Sequence, residues 1–149
     1  MAIDMDNMLA GFSSQVISAT GGELDFGGGA ATATIAACIL RAEDILDVGF
    51  VVTEVMTAAS AAINIGRDVT SLDVDYFVDN YTLTNSVAVG TVFRTSDGTL
   101  DWASTANTEA ERSCSIGTTI TILAATGGGT GKIVPFVIMR PQGPLDPIA

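Results

Sequence analysis

A glycine-rich run near the C-terminus is the first segment whose residue types could do chemistry. It covers residues 127–132, GGGTGK, and a glycine loop that ends in lysine can hold phosphate groups on backbone N–H groups. A phosphate loop requires glycine at its first position and Ser or Thr after the lysine, but Thr126 and Ile133 stand there. It also joins a strand to a helix, whereas both flanks here have strand patterns. We therefore predict a flexible hairpin loop between Ala125 and Lys132.

Two acidic residues close together form the next candidate. Asp73 and Asp75 are two positions apart, so on a strand their side chains share one face, and Asp68 and Asp79 lie nearby. Paired carboxylates can serve glycoside hydrolysis or bind calcium. The spacing does not match an EF-hand loop, which needs D-x-[DN]-x-[DN]-G and a later glutamate. We therefore predict a solvated acidic patch, with no bound metal and no cofactor.

Histidine is absent from the sequence, and cysteine occurs twice, as Cys38 and Cys114. Without histidine, the Ser-His and Cys-His nucleophiles, histidine general acids and imidazole metal sites are all excluded. Each cysteine sits among apolar or small residues, so both are predicted to be buried thiols that form no disulfide. These observations predict a protein that is not an enzyme and has no catalytic residues.

The single tryptophan, Trp102, could stack on a sugar or anchor an interface, or it could belong to the core. The core is favoured on base rates of burial. Arg94 and Arg112 flank this region and are expected to pair with nearby acids on the surface. The acids in question are Asp101, Glu109 and Glu111.

Composition limits the partners. The 149 residues are 48% hydrophobic and 15% charged, and the formal net charge is -11. Intrinsic disorder of the whole chain is thereby disfavoured. With Lys132 as its one lysine, the chain is poorly suited to release counterions from nucleic acid or to bind an anionic membrane. Residues 1–111 hold 16 of the 17 acidic residues, so one part of the surface should be far more negative than another.

Residues 1–30 differ from the rest and are predicted to form an N-terminal arm and glycine-rich linker. An apolar stripe in this segment has helical spacing, which predicts a short helix, although an extended arm is the alternative. The stripe requires cover, either on its own domain or on another subunit. The acidic start does not match a secretory signal, so the protein is expected to be made in a cytoplasm. The stripe consists of Met5, Met8, Leu9, Phe12 and Val16.

Residues 31–140 show the pattern of a β-sandwich domain. About eight short runs rich in β-branched and aromatic residues alternate with Gly, Asn and Asp turns, which is typical of an all-β sandwich or barrel. No amphipathic helix of 10–15 residues alternates with them, so a βαβ architecture is disfavoured. The predicted strands are 31–40, 48–57, 62–66, 74–84, 87–95, 115–125 and 132–140, with 99–102 as a short returning strand.

Residues 141–149 form the third predicted region, an extended tail. It holds three of the four prolines, which cannot contribute N–H groups to a central sheet. Pro141, Pro144 and Leu145 are candidate partner contacts, together with Trp102 and the arm residues Met5, Met8, Leu9 and Phe12.

The order of features over about 110 residues resembles the small β-sandwich virion proteins of tailed phages, in particular capsid decoration (cement) proteins. The segments that carry it are 42–46 (AEDIL), 51–58 (VVTEVMTA), 62–66 (AINIG), 74–78 (VDYFV), 118–122 (TTITI) and 131–137 (GKIVPFV). Pro135 departs from a regular central strand and predicts an edge or a bulge there.

That resemblance implies an all-β, jelly-roll-like sandwich on the exterior of a virion, often a homotrimer. It would contact the major capsid protein, bridge neighbouring capsid subunits and stabilise the shell. It carries over no catalytic residues. Two other hypotheses come from the residues themselves. One is a carbohydrate- or receptor-binding module of a phage tail or fibre, built on Trp102, Tyr76 and Tyr81. The other, weaker, is a hydrolase that pairs Asp73 or Asp75 with Glu109 or Glu111.

Overall fold

A computed structural model gives the structure of the chain and describes residues 16–28, 31–37, 43–57, 61–68, 72–115, 117–126 and 130–141. Within these ranges there are ten β-strands, three short 3-10 turns and no α-helix. The strands are β1 (Ile17–Thr20), β2 (Leu24–Asp25), β3 (Ala31–Ala37), β4 (Glu43–Thr57), β5 (Ala61–Asp68), β6 (Leu72–Leu83), β7 (Val92–Arg94), β8 (Ser113–Cys114), β9 (Thr119–Thr126) and β10 (Thr130–Pro141). Across the described ranges, no helix is long and apolar enough to span a membrane.

The strands form two antiparallel sheets packed against each other, which confirms the predicted all-β class. Sheet A has the order β1-β10-β4-β7, with β2 beside β10 and β8 beside β4. Sheet B has the order β3-β9-β5-β6. The core between them is built from inward-facing aliphatic and aromatic side chains, among them the fully buried Phe50, Phe77, Ile122 and Ile133.

The glycine-rich run does not connect a hairpin. β9 pairs with β3 and β5, whereas β10 pairs with β1, β2 and β4, so the chain crosses from sheet B to sheet A between Thr126 and Thr130. Both flanks are strands, as predicted. The lysine that a phosphate loop would use lies near acids instead, because Lys132 Nζ is 3.4 Å from Glu54 Oε2 and 3.9 Å from Glu23 Oε1.

Of the two strands predicted after β6, one is shorter than expected and the other is absent. Residues 87–91 form turns, with Thr91 donating its N–H to Ala88, and only Val92–Arg94 pairs with β4. Residues 99–102 form no strand, because the Thr99 hydroxyl and N–H both bind the Asp97 carboxylate and hold a loop. In both segments local side-chain and turn hydrogen bonds replace the ladder that β-branched residues suggested.

Pro135 lies in a central strand, not at a sheet edge. It pairs with Phe50 of β4, and no register shift occurs at that point. Its carbonyl accepts a hydrogen bond from Gly21, which lies between β1 and β2. In an antiparallel strand the N–H and C=O of one residue point to the same side, so the missing N–H faces the interval between β1 and β2. The proline therefore removes no hydrogen bond to β4.

Candidate interaction surfaces

The outward-facing side of sheet A carries apolar side chains. Burial alternates along β10, with the odd-numbered positions from Gly131 to Met139 buried and the even-numbered ones turned outward. The outward positions include three large apolar residues, each only partly buried. Neighbouring strands add Val51, which pairs with Val134, and Val92, which pairs with Val51 and is 39% exposed. We call this surface the sheet A patch: Val51, Val92, Val134, Phe136 and Ile138.

The outer face of sheet B is polar by comparison. Thr32 pairs with Leu123, and Thr34 pairs with Thr121, along the strands β3 and β9. Asn64 continues the first row on β5. Leu123 is therefore a single large apolar side chain among threonines and an asparagine. A sheet with one solvated face normally places polar residues there, and sheet B follows this rule whereas sheet A does not.

The two ends of the described chain lie at the same end of sheet A, which we call the arm end. Ile17 of β1 pairs with Met139, and Pro141 pairs with Glu43. Because β1 is antiparallel to β10, the described chain both begins and ends at this end of the sheet. Val16 and Ile17 are 53% and 40% exposed.

A cavity of about 280 Å³ opens at the arm end. It has acidic, basic and apolar walls. The acidic and basic walls include Asp44 and Arg140, whose carboxylate Oδ2 and guanidinium Nη2 are 3.5 Å apart. The full lining is Asp44, Ile45, Leu46, Glu109, Ala110, Arg112 and Arg140.

Trp102 is partly buried and packs against the core. The guanidinium carbon of Arg112 lies 4.1 Å from its ring centroid, and the ring meets Phe77 edge-on at 6.2 Å. Arg112 also donates to the carbonyls of Ala106 and Asn107, each at 2.8 Å. The expected surface ion pair between Arg112 and a nearby acid is therefore wrong. Backbone carbonyls and an aromatic face hold this guanidinium instead.

Tyr76 has similar contacts, with Phe77 and with an arginine. Its ring packs edge-on against Phe77 at 5.1 Å, and the Arg67 guanidinium carbon lies 3.6 Å from its centroid. Its hydroxyl donates to the Glu111 carbonyl at 2.8 Å. Arg67 also donates to the Ser113 carbonyl, so β5, β6 and the segment before β8 are tied together.

Arg94 forms an ion pair that the sequence did not indicate. Its partner is Asp47, 47 positions earlier and 2% exposed, whose Oδ2 accepts from Arg94 Nε at 2.7 Å and also from Nη2. The hydroxyls of Thr95 and Ser96 and the Ser96 N–H complete the set of donors. The expected partners, acids near residue 101 or 110, were wrong because β7 pairs with β4 and brings Arg94 onto Asp47.

Asp73 and Asp75 are both exposed on β6, so the expectation of a solvated acidic patch holds for this pair. Partial burial raises the pKa of Asp73, and the hydrogen bond and negative charge of Asp75 raise it further. Arg67 opposes this shift. Across the residues that the structure describes, no three acidic or cysteine side chains converge in a way that could hold a metal ion.

Glu111, a residue of the hydrolase hypothesis, has a local structural partner. Its carboxylate accepts the Thr108 N–H at 2.8 Å, and this bond, with the Thr108 hydroxyl, lowers the pKa of Glu111. A carboxylate stabilised in its ionised form beside a 3-10 turn is poorly suited to act as a general acid.

Several predicted residues fall outside the described ranges: Met5, Met8, Leu9, Phe12, Cys38, Pro144 and Leu145. Pro141 is the last residue of β10. Cys114, in β8, is fully buried, as predicted.

Comparison with known proteins gives one line of evidence on the fold. No protein-family model matches this chain, and no curated protein matches it. Among solved structures, a chain described as "Cyanophage Pam1 capsid asymmetric unit" superposes with a TM-score of 0.56. The two chains are 15% identical, and the match covers 87% of each. The fold of this protein is thus similar to that of a chain in a phage capsid over nearly its whole length.

Proposed function

We propose that this chain is a non-enzymatic structural protein of a phage virion, which decorates a capsid and stabilises it by bridging neighbouring capsid subunits. The observation that carries the proposal is the likeness to a chain of a cyanophage capsid asymmetric unit, which covers 87% of both chains. The jelly-roll-like sandwich implied by the sequence resemblance is part of the same proposal. The proposal includes a position on the capsid exterior, in contact with the major capsid protein.

The surfaces of the molecule support a binding role. The sheet A patch presents apolar side chains outward, with Val92 39% exposed and the other four partly buried, and apolar side chains gathered on an outer surface are typical of an interaction site. At the arm end, the first described strand begins and the last one ends, beside a cavity with charged walls. Segments that can reach neighbours from one end of a rigid domain suit a protein that joins subunits of a shell.

Binding to the assembled shell, and not to unfolded coat protein, would stabilise the shell by mass action. The experiment is co-sedimentation of the purified protein with empty capsids of the same phage, followed by heating of decorated and undecorated capsids. We expect the protein to pellet with capsids and to raise the temperature at which they disassemble. A protein that stays in the supernatant at saturating capsid concentration overturns the proposal.

A homotrimer is the proposed assembly state, because three linked copies multiply weak contacts with the shell through effective concentration. Mass measurement in solution should give three times the chain mass of 15.2 kDa.

The carbohydrate-binding alternative requires an accessible aromatic platform. Arg112 lies over the Trp102 ring, and Arg67 lies over the Tyr76 ring, so each ring has a cation on one face. Both rings also pack edge-on against Phe77. These contacts favour a structural role for the aromatic residues. Binding to a glycan array that is abolished by Trp102→Ala would reverse this preference.

A further inference from the structure

The sheet A patch places apolar side chains on the outer face of a strand whose inner face is already buried. Residues 133–139, IVPFVIM, are a continuous apolar run, and such a run is typical of a strand buried on both faces. The inner face of β10 is covered by the core, with Ile133 and Val137 fully buried. Its outer face presents Val134, Phe136 and Ile138. The sequence of β10 is therefore typical of a strand whose outer face is also covered by apolar side chains.

The chain contains a segment suited to provide that cover. The stripe Met5, Met8, Leu9 and Phe12 lies ahead of the edge strand of the same sheet, and Val16, its last member, is 53% exposed. As a helix, residues 1–15 would extend about 22 Å, and the four-strand order of sheet A is about 14 Å wide. One such segment is long enough to cross the patch.

The direction of β1 selects which copy supplies the segment. Ile17 pairs with Met139, so β1, followed towards its N-terminus, points to the arm end and away from Val134 and Phe136. Folding back onto the same face would need a sharp reversal between Phe12 and Ile17. A segment that continues in the direction of β1 needs no such reversal to reach a neighbouring copy.

We infer that the sheet A patch is the binding site for residues 1–15 of a second copy of this chain. Exchange of this arm links copies head to tail, and a ring forms if the rotation between them closes. The inference concerns contacts between copies of this chain and does not require that the protein binds a capsid.

Photo-crosslinking tests the contact directly. p-Benzoylphenylalanine replaces Phe12 in the full-length chain, so that an aromatic residue stays in the arm. After irradiation we expect a covalent species of twice the chain mass, with the crosslink mapped to β10, β4 or β7. A crosslink within one chain, a crosslink to another surface, or no crosslink would each overturn the inference.

A matched pair of variants tests the surface. Val134→Asp introduces a charge into the sheet A patch, and Leu123→Asp introduces the same charge on the outer face of sheet B. Phe12→Asp introduces the same charge into the arm, outside the residues that the structure describes. We expect Val134→Asp and Phe12→Asp to weaken self-association at least about tenfold in sedimentation equilibrium, as for a residue central to an interface. Leu123→Asp should keep the parent assembly.

Circular dichroism of each variant checks that the β-sheet signal is kept. If Val134→Asp does not fold, the self-association of Phe12→Asp decides the test. A monomeric parent protein, or equal self-association in Phe12→Asp and the parent, contradicts the inference. Capsid co-sedimentation gives a separate result: a monomer that pellets with capsids refutes arm exchange only, and an oligomer that does not pellet refutes only the proposed function.

Discussion

The side chain of Asp47 links β4 to the end of β7. The carboxylate is 2% exposed on the outward-facing side of sheet A, where Arg94, Thr95 and Ser96 surround it. A carboxylate removed from water is tolerated only when a cation and several donors satisfy it, and all are present here. Asp47 is the acceptor that the other three residues share, so neutralising it leaves the Arg94 guanidinium without its ionic partner.

Asp47→Asn tests the role of this acceptor. The substitution keeps the size of the side chain but removes its charge, so the Arg94 guanidinium loses its ionic partner. We expect the free energy of unfolding to fall by about 3 kcal/mol, the scale for breaking a buried pair. Urea denaturation measures it. Arg140→Gln is the control, because its ion pair with Asp44 is long and partly exposed, and it should leave the midpoint nearly unchanged.

Asp73 supplies a prediction about pH. Its pKa is raised in the folded protein, chiefly by partial burial and then by Asp75, so the folded state holds its proton more tightly than the unfolded state does. The ionised carboxylate therefore disfavours the fold above the ordinary pKa of 3.8, and this effect disappears at lower pH.

Asp73→Asn should then raise the urea midpoint slightly at pH 7 and leave it unchanged at pH 3. Asp79→Asn removes the same charge from an exposed position on the same strand and serves as the control for net charge. The difference between the two variants should shrink as the pH falls from 7 to 3. A difference that is constant with pH would show that Asp73 is not shifted.

At the scale of elements, Gly66 sets how closely β5 and β6 approach. A Cβ on Gly66 would lie 1.9 Å from the Asp73 carbonyl oxygen and 2.5 Å from the Val74 carbonyl carbon, both backbone atoms. The register between the two strands shifts on either side of Ile65, so the glycine lies within an irregular part of the ladder. Glycine in a strand often marks such a close approach.

Gly66→Ala should destabilise the protein by about 2–3 kcal/mol, because backbone cannot move aside as a side chain can. Gly22→Ala is the matched control, since a Cβ there meets nothing within 4 Å. Thermal unfolding of the two variants measures the difference. Equal melting temperatures would mean that β5 and β6 separate without cost.

The strands show how far sequence pattern predicts this fold. The pattern located β3, β5, β6, β9 and β10 because their apolar and β-branched residues alternate. It started β4 five residues late, at Val48, because Asp44 and Asp47 do not look like strand residues. Their partners, Arg140 and Arg94, are distant in sequence, so only the folded sheet explains the two acids. The arginine–aromatic contacts at Trp102 and Tyr76 were missed for the same reason.

At the scale of the whole molecule, the fold joins residues from opposite ends of the chain. β1 pairs with β10, which places Ile17 opposite Met139, and β4 fills the middle of sheet A between β10 and β7. Such long-range pairing requires large loops to close before the contacts form, and it slows folding.

Refolding from urea should therefore be slow, with a rate of about 1 to 1,000 per second, as for other β-sandwiches. Trp102 is the single tryptophan, and its packing against Phe77 and Arg112 makes its fluorescence a direct probe. Leu46→Ala, in β4, provides a second test. Comparison of its refolding rate with that of the parent protein shows how early sheet A forms. Refolding within microseconds would contradict a fold made by long-range pairing.

The described chain both begins and ends at the arm end, and this has a practical consequence. Cargo fused to either terminus is attached through the same pole of the domain, so a fluorescent protein or an antigen joined there would crowd that pole first. The turn at Ser86–Gly90 contacts the Met56 end of β4, at the opposite pole, and its residues are largely exposed. A peptide for display is better inserted there, because it leaves the pole that carries both segments clear.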